Sequence, residues 1–395
     1  MQVYISMLNN LFLLISTSYK IYDMKFNNYL PINLSDFLSN KLHLSVMLPI
    51  QELSIPKMLK KQNCMLISPT GSGKTLCFVL PSLVNMNYSI PNVQVLIIVP
   101  SHELAKQICD VYSQFKELYP NLTVNNTFKH RHMYDQIKAK VVISNPLLAL
   151  NLIHKGLLNV RNLQLVVFDE LDMLKEFFAS ELATLLTYLH QLLSLQYCLL
   201  SATLHESLRK QLTHNIPNMH FLALSNDVWN NDNITHYLVE LPNSFDNSNE
   251  QKMQALNDLL KLIKPFFALV FVKDALTAKE VTTYLIEHGY SDSVAFYSEL
   301  KKNQRSQILL NAKKLKYHVM VCTDLAARGI DLEGVSDVIN YDLPINDMYY
   351  IHRAGRSGRA NNKGNVYTFI FKDNKNTIDK LKTKINFKTI KLTSI

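Results

Sequence analysis

Short, unbroken apolar runs recur along this chain, separated by longer stretches of mixed polarity. In the first half the runs fall at 63–68, 93–100, 141–144, 164–169 and 197–201. None alternates apolar with polar residues, as a half-exposed strand would. Such runs predict strands buried on both faces, in a parallel sheet covered by helices. The intervening stretches then supply the crossover helices of a βαβ series. Residues 225–233 break the pattern: they are polar, lack periodicity and read as a linker. A second series follows, with strands expected at 235–240, 268–272, 293–296, 318–322, 335–340 and 365–370. The pattern therefore predicts an α/β chain in two similar halves, 24–224 and 234–375. Residues 376–395, rich in lysine, read as a basic tail, either a solvated helix face or a phosphate-gripping segment. Residues 1–23 hold an apolar patch, Leu8 to Ile15, and read as an N-terminal extension: a targeting segment or a disordered stretch ahead of Met24.

Composition narrows the class. Apolar residues make up 48% of 395, enough for large cores. The five cysteines, Cys64, Cys77, Cys109, Cys198 and Cys322, are odd in number and stand at no ligand spacing, which predicts reduced thiols in an intracellular protein rather than a disulfide framework. No run of 18 apolar residues predicts a membrane span. The net charge of +9 suits a polyanionic partner. Eight of the 41 basic residues are arginine, and five of these, Arg305, Arg328, Arg353, Arg356 and Arg359, crowd into one region. That economy implies a need for planar, permanently charged groups there.

The chemistry begins at Ser68-Pro69-Thr70-Gly71-Ser72-Gly73-Lys74-Thr75, between an expected strand and an expected helix. Glycines let several backbone N–H groups converge on one anion, and the helix N-terminus adds partial positive charge. In such a phosphate loop Lys74 would reach the terminal phosphates and Thr75 would hold Mg²⁺. The usual first glycine is Ser68 here. A second feature is Asp169-Glu170-Leu171-Asp172, three carboxylates at a strand end, where Asp169 can hold Mg²⁺ and Glu170 can deprotonate a water. A third is His352 to Arg359: Arg353, Arg356 and Arg359 stand three apart, and helical spacing would put them on one face, toward an anion.

With these motifs the chain resembles the DEAD-box RNA helicases from about Phe26 to Phe371. Pro49-Ile50-Gln51 is similar to the end of the family's Q motif, with Phe26 at the usual distance upstream. Pro100 to Ala105 is similar to its RNA-contacting motif, Asp169 to Asp172 stands where the family has Asp-Glu-Ala-Asp, and Ser201-Ala202-Thr203 matches the coupling motif. Thr323 to Asp331 and His352 to Arg359 match the second-domain motifs. The resemblance implies two tandem RecA-like domains, a helicase ATP-binding domain and a helicase C-terminal domain. It implies ATP held by Phe26, Gln51, Thr70, Gly71, Ser72, Gly73, Lys74 and Thr75, with Gly329 and Asp331 joining on closure. Lys74, Glu170, Arg356 and Arg359 would be catalytic, and Ser201, Thr203 and His352 would couple ATP turnover to strand separation. RNA would lie along Pro100, Glu103, Arg305, Thr323, Asp324, Arg328 and Arg353. The implied activity is RNA-dependent ATP hydrolysis with local unwinding or ribonucleoprotein remodelling, ribosome assembly being the expected setting. The alternative is an ATP-gated RNA clamp. The expected protein is a monomer, in the cytoplasm, the nucleus or nucleolus, or an organelle.

The chain departs from the family pattern mainly on the RNA side. His102 replaces an arginine, Asn145-Pro146-Leu147-Leu148 replaces Thr-Pro-Gly-Arg, and no paired-glycine motif is recognisable at 127–130. Tyr297-Ser298-Glu299 stands for His-Gly-Asp, and Leu171 for alanine. The ATP half thus reads as intact and the first-domain RNA grip as altered.

Overall fold

The computed structural model describes residues 24–392, apart from 69–70, 130–134, 193, 203–205, 224–232, 242–248, 328–331, 333, 345, 359–362 and 371–374. The chain forms two compact units, Met1–Leu48 and Pro49–Ile395. Residues 24–48, expected to open the first half, close on themselves. Lys25 bridges Val46 antiparallel, Met47 N–H donates to the Met24 carbonyl at 3.0 Å, and α1 (Ile32–Lys41) buries Leu34 and Leu38.

The larger unit holds two parallel sheets. The first contains β1 (Cys64–Ile67), β2 (Val95–Ile98), β3 (Val124–Asn126), β4 (Val141–Ser144), β5 (Leu165–Phe168), β6 (Gln196–Ser201) and β7 (His220–Ala223). Between them run α2 (Pro49–Leu59, ahead of β1), α3 (Lys74–Asn85), α4 (His102–Gln114), α5 (Pro146–His154), α6 (Leu171–Phe177), α7 (Ala179–Leu189) and α8 (Glu206–Asn215). The second contains β8 (Ile234–Glu240), β9 (Ala268–Val272), β10 (Ser293–Phe296), β11 (Val319–Thr323), β12 (Asp337–Asn340), β13 (Gly364–Ile370) and β14 (Phe387–Lys391). Its helices are α9 (Asn249–Ile263), α10 (Ala275–Glu287), α11 (Lys302–Lys313), α12 (Asp324–Ala327), α13 (Asp347–Ala354) and α14 (Lys375–Lys382).

Among the described residues the strand orders are β3-β4-β2-β5-β6-β1-β7 and β10-β11-β9-β12-β13-β8-β14. Subtracting seven from each label of the second gives the first, so the halves are two copies of one RecA-like topology. The expected apolar runs are the interior strands. Val319 and Val321 face one core layer while Met320 and Cys322 face the other. Each side chain so buried stabilises by about 1.5–3 kcal/mol. Because both faces are apolar, the two-residue period is invisible in the sequence.

Three strands escape the apolar-run rule, and all are at or beside an edge. β3 and β7 are short and only partly buried. β14 overturns the expected basic tail: it pairs parallel with β8, Phe387 opposite His236 and Lys391 opposite Glu240. Ahead of it, Ile378, Leu381 and Ile385 are buried. These three apolar positions form a narrow stripe among lysines, enough to dock α14 although the composition reads as a solvated tail.

Candidate functional site

All strands of a parallel sheet end on one edge, and open α/β sheets bind ligands there. In the first sheet β5, β6 and β1 lie side by side, so their ends gather Asp169, Ser201 and the loop at 68–73. Ser68 N–H donates to the Ser201 carbonyl at 3.2 Å, and Asp169 N–H to the Ile98 carbonyl at 3.0 Å. Gly71 and Gly73 have φ of 81° and 83°, which bends the loop into α3 without a Cβ clash. Gln51, from α2, donates to the Gly73 carbonyl at 3.0 Å, and Lys74 Nζ donates to the Ser68 carbonyl at 2.6 Å. Burial lowers the Lys74 pKa, opposed by the charges of Asp169, Asp172 and Glu170.

The carboxylates of one tetrapeptide are pushed apart. Burial, with the Glu170 charge, raises Asp169 to about 7 against the pull of Lys74. Asp172, three residues on, is held at about 2. Its burial raises it, but the His352 charge nearby and hydrogen bonds from Ser201 and Met173 N–H outweigh burial. The contact with His352 is an approach of Nε2 to Oδ2 at 3.3 Å, longer than an ideal hydrogen bond. Glu170 lies between them at φ 54°, a left-handed conformation that costs about 1 kcal/mol or more, and its Oε2 is buried without a partner. Strain and an unmet acceptor at the end of a sheet are what a group aimed at a ligand shows.

The second domain reaches the same place through α13. His352 is buried and meets Asp172, while Tyr349 donates to Glu176 Oε1 of α6 at 2.8 Å. Arg353 and Arg356 do not share a helical face, contrary to their spacing, because α13 ends at Ala354 with Gly355 as its cap. Arg353 turns inward, 2% exposed. Its guanidinium forks onto Asp324 with two 2.6 Å bonds, donates to Asn340 Oδ1 at 2.9 Å and the Asp342 carbonyl at 2.7 Å, and sits 4.9 Å from the centre of the Phe271 ring. Arg353 and Asp324, both expected on RNA, hold each other inside the domain in this structure. Arg356 follows in the turn, buried and lining a cleft with Met173, Tyr349 and His352. Gly364 keeps that turn close to β13, since a Cβ there would stand 2.3 Å from Gly358 N.

On the expected RNA side, Arg305 donates to Glu103 Oε1 across the two domains at 2.7 Å and to the Tyr297 carbonyl at 3.2 Å. Both were expected on RNA; in this structure they hold each other. Pro100 lies two residues past the end of β2, just ahead of the Ser101 N-cap of α4. Thr323, at the end of β11, keeps a buried hydroxyl without a partner, suited to a polar ligand. His102 packs its ring on Phe128, centroids 5.7 Å apart. Phe26 is buried in a short 3-10 turn of the N-terminal unit, and Ser72 and Thr75 are partly exposed at the phosphate loop. Thr70, Thr203, Arg328, Gly329, Asp331 and Arg359 lie outside the described residues. Sequence reasoning did not single out Asp172 as the shared anchor of Ser201 and His352, nor Tyr349 with Glu176. The only advance signal is spacing: 172 and 176, like 349 and 352, are one turn apart.

Comparison with known proteins agrees with this geometry. The DEAD/DEAH box helicase model matches residues 48–211, and the helicase conserved C-terminal domain model matches 251–361. The DEAD-box ATP-dependent RNA helicase CshB of Listeria monocytogenes is 31% identical, over 86% of this chain and 78% of its own length. A probable ATP-dependent RNA helicase of Mycoplasma pneumoniae is 30% identical, over 89% and 80%. Among solved structures, S. cerevisiae Dbp5 bound to RNA and ADP BeF3 is 25% identical, with a TM-score of 0.82 over 93% of this chain and 95% of that one. Twin RecA-like sheets, a phosphate loop facing Asp169 and Glu170, and family models spanning both halves lead to one conclusion: the chain belongs to the DEAD-box family of ATP-dependent RNA helicases.

Proposed function

We propose that ATP draws the two domains of this chain onto single-stranded RNA, and that hydrolysis releases it, opening short duplexes or remodelling ribonucleoprotein. One observation carries the reading. A single buried carboxylate, Asp172, is bound by Ser201 of the first domain and His352 of the second, three residues from Asp169. The groups that sense ATP and the groups that report closure are therefore one rigid cluster. The domain arrangement is also similar to that of a yeast protein solved with RNA and ADP BeF3.

Gln51 would take the adenine, with Gly329 and Asp331 near the ribose. Ser72, Gly73 and Lys74 would cradle the phosphates with Thr70 and Gly71. A water attacks the γ-phosphorus, the bond from that phosphorus to the ADP oxygen breaks, and Glu170 accepts the water's proton. Arg356 and Arg359 would balance the charge that develops. The crowded oxygen donors fit Mg²⁺: Thr75 and Asp169 would hold it, and it would supply charge neutralisation on the triphosphate.

RNA would be gripped through its backbone by Thr323, Arg328 and the loops after Pro100, so binding is tolerant of sequence and sensitive to salt. A clamp with little unwinding is the second reading, favoured by the ring of His102 standing where a phosphate-binding arginine is usual. The proposed setting is inside the cell, in ribosome assembly. Glu170→Gln tests the reading: ATP turnover should fall about a hundredfold or more, while the lifetime of the RNA complex in ATP lengthens. Absence of RNA-stimulated ATPase in the unaltered protein overturns it. Stimulated turnover without strand release from a short duplex selects the clamp.

A further inference from the structure

The contact between α6 and α13 has two rungs, and only one belongs to the coupling machinery described above. Asp172 and Glu176 are four apart on α6, and Tyr349 and His352 are three apart on α13, so each pair shares a helix face. His352 meets Asp172, and Tyr349 meets Glu176. The rungs stand about 4.5–6 Å apart along the helices. A single contact between two helices is a pivot; two contacts also set their rotation.

We infer that Tyr349 and Glu176 form a second interdomain latch, which fixes the orientation of α13 on α6 and so positions Arg356 and the RNA-gripping face. This rests on the ATP-driven closure proposed above. The Tyr349 side chain is 6% exposed, and a buried phenol hydroxyl needs a partner. Here the partner is a carboxylate of the other domain, at 2.8 Å. A hydrogen bond to a charged acceptor is among the stronger ones. Once the domains part, water takes each half, so the bond contributes only to the closed form. It therefore shifts the closing equilibrium, and with it RNA affinity in ATP. Met173, between Asp172 and Glu176 on α6, lines the same cleft with Tyr349 and Arg356, so movement at this rung is felt beside the arginine.

Tyr349→Phe deletes only the hydroxyl. The RNA concentration that half-saturates ATPase should rise about tenfold, while kcat at saturating RNA changes less than threefold, because excess RNA restores closure. Glu176→Ala, at an exposed position near the end of α6, should match it, and Glu176→Gln should restore most of the loss because its amide oxygen still accepts. Tyr349→Phe combined with Glu176→Ala should be no worse than either alone. Unaltered half-saturation in Tyr349→Phe, or additive losses in the double variant, overturns the latch while leaving the helicase reading intact. A parent protein whose RNA affinity ignores ATP overturns both.

Discussion

The two sheets of this protein have one strand order and opposite chemistry at the same edge. After β5 the first domain places Asp169 and Glu170, one carboxyl raised to about 7 by burial and the other strained and without a partner for Oε2. After β12, the equivalent strand, the second domain places Asp342. Its carbonyl accepts from Arg353, and its carboxylate accepts from Lys273 N–H at 2.9 Å. The first edge keeps its polar groups in reserve for a ligand. After β12 the second satisfies its acid internally, through Lys273 N–H and the Arg353 guanidinium. A duplicated architecture thus places different chemistry at equivalent strand ends.

The contrast can be tested by asking what each edge loses on mutation. Lys74→Ala should lower RNA-stimulated ATP turnover about a thousandfold, with no loss of stability, since burial already disfavours that charge. A clear drop in its unfolding temperature would place Lys74 with the structural residues and erase the distinction. Asp324→Ala should do the reverse. It strands the Arg353 guanidinium in the core, and removing one partner of a buried pair costs about 3 kcal/mol, or roughly 6–10 °C in the melting of that domain. If thermal unfolding is unchanged while RNA affinity falls, Arg353 and Asp324 belong to the RNA surface after all.

A smaller effect sharpens the picture of the second core. Burial holds the His236 pKa near 4, below its ordinary 6.5, with Nδ1 against the Tyr350 hydroxyl at 2.9 Å. The unfolded chain therefore takes up that proton first as pH falls. Stability should be full above about pH 6.5 and decline toward pH 4, losing about 2 kcal/mol by pH 5. Chemical denaturation across that range reads it, and a His236→Gln chain should lack that part of the slope. An identical slope in the variant would assign it elsewhere.

Much of this was legible in residues alone, for identifiable reasons. Interior strands declare themselves because both faces are apolar, and the phosphate loop declares itself because only glycines reach the φ of Gly71 and Gly73. The basic tail was misread because three buried residues, Ile378, Leu381 and Ile385, are outweighed in composition by the lysines around them. The shared face of Arg353 and Arg356 was misread because their spacing implies one helix, yet α13 ends between them. Spacing carries no information on where a helix stops, and here Gly355 caps α13 just before Arg356.

The linear chain by itself determined the two α/β halves, their parallel sheets and the glycine turn before α3, since these depend on hydrophobic runs and on contacts within a few residues. Tertiary structure alone decided which charges face a ligand and which neutralise one another. Arg353 with Asp324, Arg305 with Glu103, and His352 with Asp172 are partners separated by 29 to more than 200 positions. Coulomb and hydrogen-bond energies act over a few ångströms, so such pairs exist only once folding has brought their elements together.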